Sequence, residues 1–180
     1  MTVTTARTSR NRTARSIDVT LTTTIDSPIG PLTLTSVDGD LTGLQMANAA
    51  HPPKGTEMWV PDRAAFKEVV GQLEAYFAGE LRDFEVPLRA EGTEFQRRVW
   101  DGLRQIPFGE TWSYGRLAEH VGNVQACRAV GLANGRNPIA VIVPCHRVIG
   151  ANGTLTGYGG GLDRKAWLLD HERRVRGGTA

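Results

Sequence analysis

Long hydrophobic runs are missing from this 180-residue chain. No stretch approaches the ~20 apolar residues that a membrane-spanning helix needs, so no membrane association is expected. Cysteine is scarce: Cys127 and Cys145 stand alone, which excludes a disulfide framework. No apolar stretch of the kind a secretory signal requires appears near Met1, so free thiols in a reducing compartment, the cytoplasm, are expected. His51, His120, His146 and His171 show no paired spacing, and there is no Cys-x-x-Cys, so no metal and no cofactor are expected. Excess charge of one sign is also absent. A formal net charge of +2 permits nucleic-acid binding without demonstrating it. Internal repeats are lacking, and the one biased stretch is the N-terminal run containing Arg7, Arg10, Arg12 and Arg15 with no acid. Residues 1–16 read as a disordered basic tail, serving either to attract phosphates or merely as a solvated terminus.

What remains is ordinary globular composition, 40% hydrophobic and 22% charged, enough for one sizeable domain or two small ones. From Ile17 to Met46 the chain is rich in Thr, Leu, Ile and Val, broken by turn signals at Ser27-Pro28-Ile29-Gly30 and Val37-Asp38-Gly39-Asp40. Short antiparallel strands follow from that pattern. Between Arg63 and Phe77 the residues Phe66, Val69, Val70, Leu73, Tyr76 and Phe77 recur at helical spacing, with Asp62 before and Gly79 after, which predicts an amphipathic helix on the sheet. Phe84 to Gly92 reads as a linker. Thr93-Glu94-Phe95-Gln96 carries a capping-box pattern and opens a helix bearing Phe95, Val99, Leu103 and Ile106, which ends at Pro107-Phe108-Gly109. Ser113 then caps a short helix through His120, Gly122-Asn123 turns the chain, and Val124 to Asn134 forms a second helix. This pair is either a helix-turn-helix or a plain helical hairpin.

The fold class expected is an α/β N-terminal domain with a small antiparallel sheet, plus a mostly α C-terminal domain with a helix-turn-helix. The divisions are 17–91, 92–175 and a tail at 176–180.

Ile139 to Val143 reads as a short buried strand ending at Pro144-Cys145-His146-Arg147-Val148. A cysteine there is either inert core filler or a nucleophile with a base beside it in His146, or a cation in Arg147. In an extended segment consecutive side chains point to opposite faces, so Cys145 and His146 are expected to communicate through a bridging water. Glu172, on a final helix of about Asp163 to Arg173, follows Leu168 and Leu169 on or beside the apolar face. It either accepts the second ring N–H of His146 or pairs with Arg173 or Arg174 in solvent. The loop containing Gly157-Tyr158-Gly159-Gly160-Gly161 either walls a flat pocket or is a flexible surface turn.

Taken together, Val143-Pro144-Cys145-His146-Arg147-Val148 resembles the active-site signature of the O6-alkylguanine-DNA alkyltransferases, also called methylated-DNA–protein-cysteine methyltransferases. Phe95-Gln96, Val99-Trp100, Ile106-Pro107, Gly109, Ser113-Tyr114, Arg128-Ala129-Val130-Gly131, Asn134, Asn137-Pro138, Tyr158, Gly160-Gly161-Leu162, Lys165, Trp167-Leu168-Leu169 and Glu172 fall in family order. The likeness is close over about Gly92 to Glu172 and looser before it.

The resemblance implies DNA repair by single, irreversible transfer of an alkyl group from O6-alkylguanine, less certainly O4-alkylthymine, to Cys145. It implies duplex DNA bound through the minor groove by a monomer, with cooperative assembly on DNA left open, and a target nucleotide flipped out of the stack. Arg128 would fill the vacated place, with Gln125, Ala129 and Gly131 on the same helix at the DNA. Tyr114 would press on the 3′ phosphate and protonate the departing base. His146 and Glu172 would activate the thiol, Asn137 would brace its turn, and Lys165 would set the pocket's charge. Tyr158, Gly159, Gly160 and Val148 would form the base pocket.

This chain departs from the pattern at Gly159, where many members have Ser, leaving backbone N–H groups to bind O6. It departs also at Cys127, where a small residue such as Ala is usual, and in lacking the zinc-ligating cysteines of some relatives. A non-catalytic damage-binding relative is disfavoured by Cys145 itself. A cysteine hydrolase would require an oxyanion hole and turnover. A major-groove regulator would require more base-reading side chains than Gln125 and Arg128.

Overall fold

The computed structural model describes residues 19–53 and 55–178. The basic tail expected over 1–16 lies outside these residues. The first half builds strands β1 (Leu21–Ile25), β2 (Leu32–Val37) and β3 (Asp40–Met46), a two-residue β4 (Val60–Pro61), and helix α1 (Lys67–Ala78). The sheet order is β3-β2-β1-β4. β1–β2 and β2–β3 are antiparallel as expected, whereas β4 runs parallel to β1. A two-residue strand inside a Pro-containing loop carries no alternation to read, so no local pattern marks it. The β2–β3 hairpin turns through Asp38 and Gly39, with φ of 53° and 89°. Positive φ at both central residues is what a two-residue loop needs to match strand twist, and Asp-Gly supplies it cheaply.

Asp62 Oδ1 accepts from the backbone N–H of Ala64 and Ala65, starting a 3-10 turn that leads into α1. Gly79 ends α1 in the left-handed region. Leu73, Tyr76 and Phe66 are fully buried between the helix and the rest of the core.

The second half comprises α2 (Glu94–Leu103), a short parallel pair of β5 (Trp112–Ser113) and β6 (Val148–Ile149), and α3 (Tyr114–His120), α4 (Cys127–Gly135) and α5 (Leu162–Gly177). The Thr93/Gln96 capping box is formed in both directions, and the Ser113 hydroxyl caps α3 by accepting from Arg116 N. Residues 124–126 form a 3-10 turn leading into α4, so the second helix begins with a tighter turn than its sequence pattern indicates. Trp100 Nε1–H donates to Ala133 O at 2.9 Å, fixing α2 against α4. α5 runs to Gly177 and takes in residues 176 and 177, which were expected to be tail. No helix of the described residues is long and apolar enough to cross a membrane.

The two halves share backbone hydrogen bonds. Leu44 N in β3 donates to Pro138 O, and Ala140 N donates back to Leu44 O. β3 is therefore not a free edge: its outer side is bonded to the segment that leads to Cys145.

Candidate active site

That segment corrects the strand expected over Ile139 to Val143. Ile139 makes a single bridge to Leu44, after which the chain turns instead of extending. Val141 adopts φ 71°, a left-handed conformation that a β-branched residue avoids at a cost of about 1–3 kcal/mol. Ile142 N donates to Ala140 O across Val141, and Cys145 N donates to Val143 O across Pro144, so two three-residue turns fold the backbone under the cysteine. The Asn137 side chain closes the arrangement. Its Nδ2 donates to Val143 O at 2.7 Å and its Oδ1 accepts from Ile139 N at 3.0 Å. Asn134, fully buried, adds a longer contact of 3.4 Å from Nδ2 to Cys145 O. Apolar β-branched residues read as a strand because burial and propensity are all that a local pattern conveys, and here tertiary bonding overrides them.

Cys145, His146 and Arg147 form one turn of 3-10 helix, not the extended segment assumed from the sequence. His146 is fully buried, and its Nε2 lies 2.8 Å from Glu172 Oε1. With Nε2–H donating to the carboxylate, Nδ1 is the unprotonated nitrogen; it is buried and makes no protein hydrogen bond among the described residues.

Glu172 is the hub of the site. It accepts from four residues: Tyr76 Oη at 2.8 Å, His146 Nε2, the Arg147 guanidinium through Nε and Nη2 at 2.9 and 3.0 Å, and Gly109 N at 2.9 Å. The alternative of a solvated partner for Arg173 or Arg174 is excluded by its full burial, and Arg173 pairs with Asp170 instead. Burial alone would raise this carboxyl's pKa, but the His146 hydrogen bond and the Arg147 charge outweigh it and hold Glu172 well below the usual carboxylate range.

Burial pushes the Cys145 thiol upward and His146 downward, which favours the neutral form of each. Against that, Asn137, the Lys165 ammonium and Tyr158 favour the thiolate. Lys165 is buried, with Nζ donating to Val148 O at 2.6 Å and Thr156 O at 2.8 Å, and burial lowers its pKa to about 8.

Cys145 opens onto a pocket of about 130 Å³. It is lined by Tyr158, Gly159 and Gly160, by Asn137 and Ala140, and, from the first half, by Met46, Ala49 and His51. Val148, expected in this pocket, is fully buried and absent from its lining; its carbonyl serves Lys165. The Tyr158 hydroxyl is buried with no hydrogen-bond partner among the described residues. A Cβ built on Gly159 would meet Gly135 O at an ordinary 3.6 Å, so glycine there is not forced by crowding.

Two regions of the chain match family models, residues 94–174 the "6-O-methylguanine DNA methyltransferase, DNA binding domain" and residues 20–90 the "6-O-methylguanine DNA methyltransferase, ribonuclease-like domain". A methylated-DNA–protein-cysteine methyltransferase of Mycobacterium bovis is 59% identical over 150 residues, covering 83% of this chain and 90% of the relative. The chain belongs to this family. A Methanosarcina acetivorans methyltransferase of the same name is 57% identical, covering 82% of this chain and 94% of the relative. The crystal structure of Mycobacterium tuberculosis OGT in complex with DNA superposes with a TM-score of 0.83 at 57% identity, covering 86% of this chain and 94% of that one. The family's two-domain architecture is the one described above, a small sheet domain followed by a helical DNA-binding domain.

Within that architecture, Gln125, Arg128 and Ala129 are exposed on or just before α4, and Gly131 is half-buried against the Tyr114 ring. Tyr114 sits at the start of α3 and donates through Oη to Thr156 O at 3.2 Å; burial raises its pKa, so it stays protonated. Cys127 is exposed, with its thiol directed at Val124 O, and lies outside the pocket lining. Sequence reasoning missed Tyr76, Gly109, the anchoring role of Arg147, and the first-half wall of the pocket. A buried tyrosine on an apolar helix face was the available signal for Tyr76, since its hydroxyl must find a partner.

Proposed function

We propose that this chain repairs duplex DNA by transferring the alkyl group of O6-alkylguanine once and irreversibly to Cys145, with O4-alkylthymine as a second candidate substrate. The observation that carries the reading is a thiol at a pocket wall, followed in the chain by an imidazole whose Nε2 is held by Glu172 and whose Nδ1 is left without a protein partner among the described residues. His146 Nδ1 accepts the thiol proton, by way of one bridging water, as sulfur attacks the alkyl carbon in line. The S–C bond forms as the C–O6 bond breaks, and the guanine leaves with a proton supplied by a tyrosine hydroxyl, that of Tyr114. The product is a thioether, which neither water nor imidazole cleaves, so each molecule acts once. Glu172, held ionised, keeps His146 in the tautomer that accepts the proton. Asn137 braces the cysteine turn, and Lys165 favours the thiolate.

For access to the base, α4 enters the minor groove, with Ala129 and Gly131 allowing close approach and Gln125 beside them. Arg128 takes the place of the flipped nucleotide, whose base enters the pocket lined by Tyr158, Gly159 and Gly160. Residues 17–91 and 92–175 act as the two domains, on a monomer in the cytoplasm.

Intact mass after mixing with a duplex containing O6-methylguanine tests the reading. One added methyl per protein is expected on Cys145, and none in Cys145→Ala. Multiple turnovers with unmodified protein, or label on Cys127, would overturn it.

A further inference from the structure

We infer that Arg164 is a positioning residue for base binding: it fastens the Gly159–Gly160 wall of the pocket to the sheet domain. The inference rests on the reading that this pocket takes an extruded purine. Arg164 lies in the first turn of α5, beside Lys165, and spans three separate segments with one guanidinium. Its Nε donates to Ile29 O at 2.8 Å, in the turn before β2. Its Nη1 donates to Ala47 O at 2.7 Å, just after β3, and to Gly160 O at 2.9 Å, in the pocket loop. All three acceptors are neutral carbonyls, so the side chain works as a rigid donor fork and not as an ion pair.

Two further contacts converge on the same wall. Ala50 N donates to Gly159 O at 2.9 Å, and Met46 packs so closely on Gly160 that a Cβ there would overlap its Sδ. Glycines at 159, 160 and 161 provide no side chains with which the loop could anchor itself, and their backbone is free to take many conformations. Apart from the turn bond from Gly161 N to Tyr158 O, its shape therefore depends on bonds from outside. Arg164 does not line the pocket and makes no hydrogen bond to Cys145, His146 or Glu172. Its removal thus loosens the wall that receives the base while leaving the transfer machinery in place.

The test uses full-length protein and free O6-benzylguanine as the probe in single-turnover kinetics. For Arg164→Ala the half-saturating concentration is expected to rise about tenfold with the limiting rate within about twofold. Reaction of Cys145 with a small disulfide reagent should be unchanged, and deuterium uptake across residues 157–161 should increase. Arg164→Lys should fall between, because one ammonium cannot reach three carbonyls at once. If the alanine variant does not fold, the lysine variant decides by the same split. Unchanged half-saturation, or a limiting rate and thiol reactivity that fall together with the melting temperature, would overturn the inference. Wild-type protein left unalkylated at Cys145 by the probe would instead sink the pocket reading itself.

Discussion

Replacing Glu172 by glutamine removes one charge and one acceptor from a place where every surrounding group donates. Its oxygens accept from Tyr76 Oη, His146 Nε2, Gly109 N and the Arg147 guanidinium, and its side chain is fully buried. An amide NH2 in place of either oxygen would point a donor at a donor. It would also leave the Arg147 guanidinium, only 7% exposed, without its counter-charge. Removing one partner of such a pair costs about 3–5 kcal/mol, far above the ~0–1 kcal/mol of a surface pair. Urea unfolding at pH 7 should therefore show Glu172→Gln destabilised by about 3–5 kcal/mol with an unchanged slope against denaturant.

The pH dependence supplies a second signature. Glu172's folded pKa is depressed, so its contribution is complete above the unfolded value of about 4.3 and is lost as pH falls toward the folded value. Wild-type stability should consequently drop between about pH 5 and 3 more steeply than that of Glu172→Gln. A loss below about 1 kcal/mol at pH 7, or identical acid profiles, would refute the claim that the site is organised around this carboxylate.

Two further outcomes follow from the same geometry. His146 is held below its ordinary pKa by burial, and only its neutral form can accept the thiol proton. The alkylation rate should stay flat as pH falls through about 6.5 and decline only below it; a pH–rate profile with its acid midpoint at or above 6.5 would contradict the assignment. Arg128 is exposed on α4 and does not line the pocket, so Arg128→Ala should slow repair of a duplex at least tenfold while sparing reaction with free O6-benzylguanine. Equal losses on both substrates, compared in parallel single-turnover assays, would remove it from base extrusion.

Much of this protein was fixed by local chemistry that a single sequence displays. The Thr93/Gln96 capping box, the Ser113 cap, the Asp38-Gly39 hairpin and the Gly79 stop each depend on groups a few residues apart, and each forms as read. The side chains proposed to carry the chemistry were visible too, because Cys145, His146 and Glu172 fall in a recognisable order. Tertiary structure decided the rest. The strand expected before Cys145 became a strained turn, because β3 offers Leu44 to the backbone at Pro138 and Ala140 while Asn137 closes the loop. Glu172's choice between solvent and His146 was open in the sequence and was settled by Tyr76, 96 positions away, together with Gly109 and Arg147. The physical reason is range. Caps and turns satisfy their own backbone from neighbouring residues, whereas a buried carboxylate must be satisfied by whatever donors the whole fold brings to it, and no local pattern states which these are.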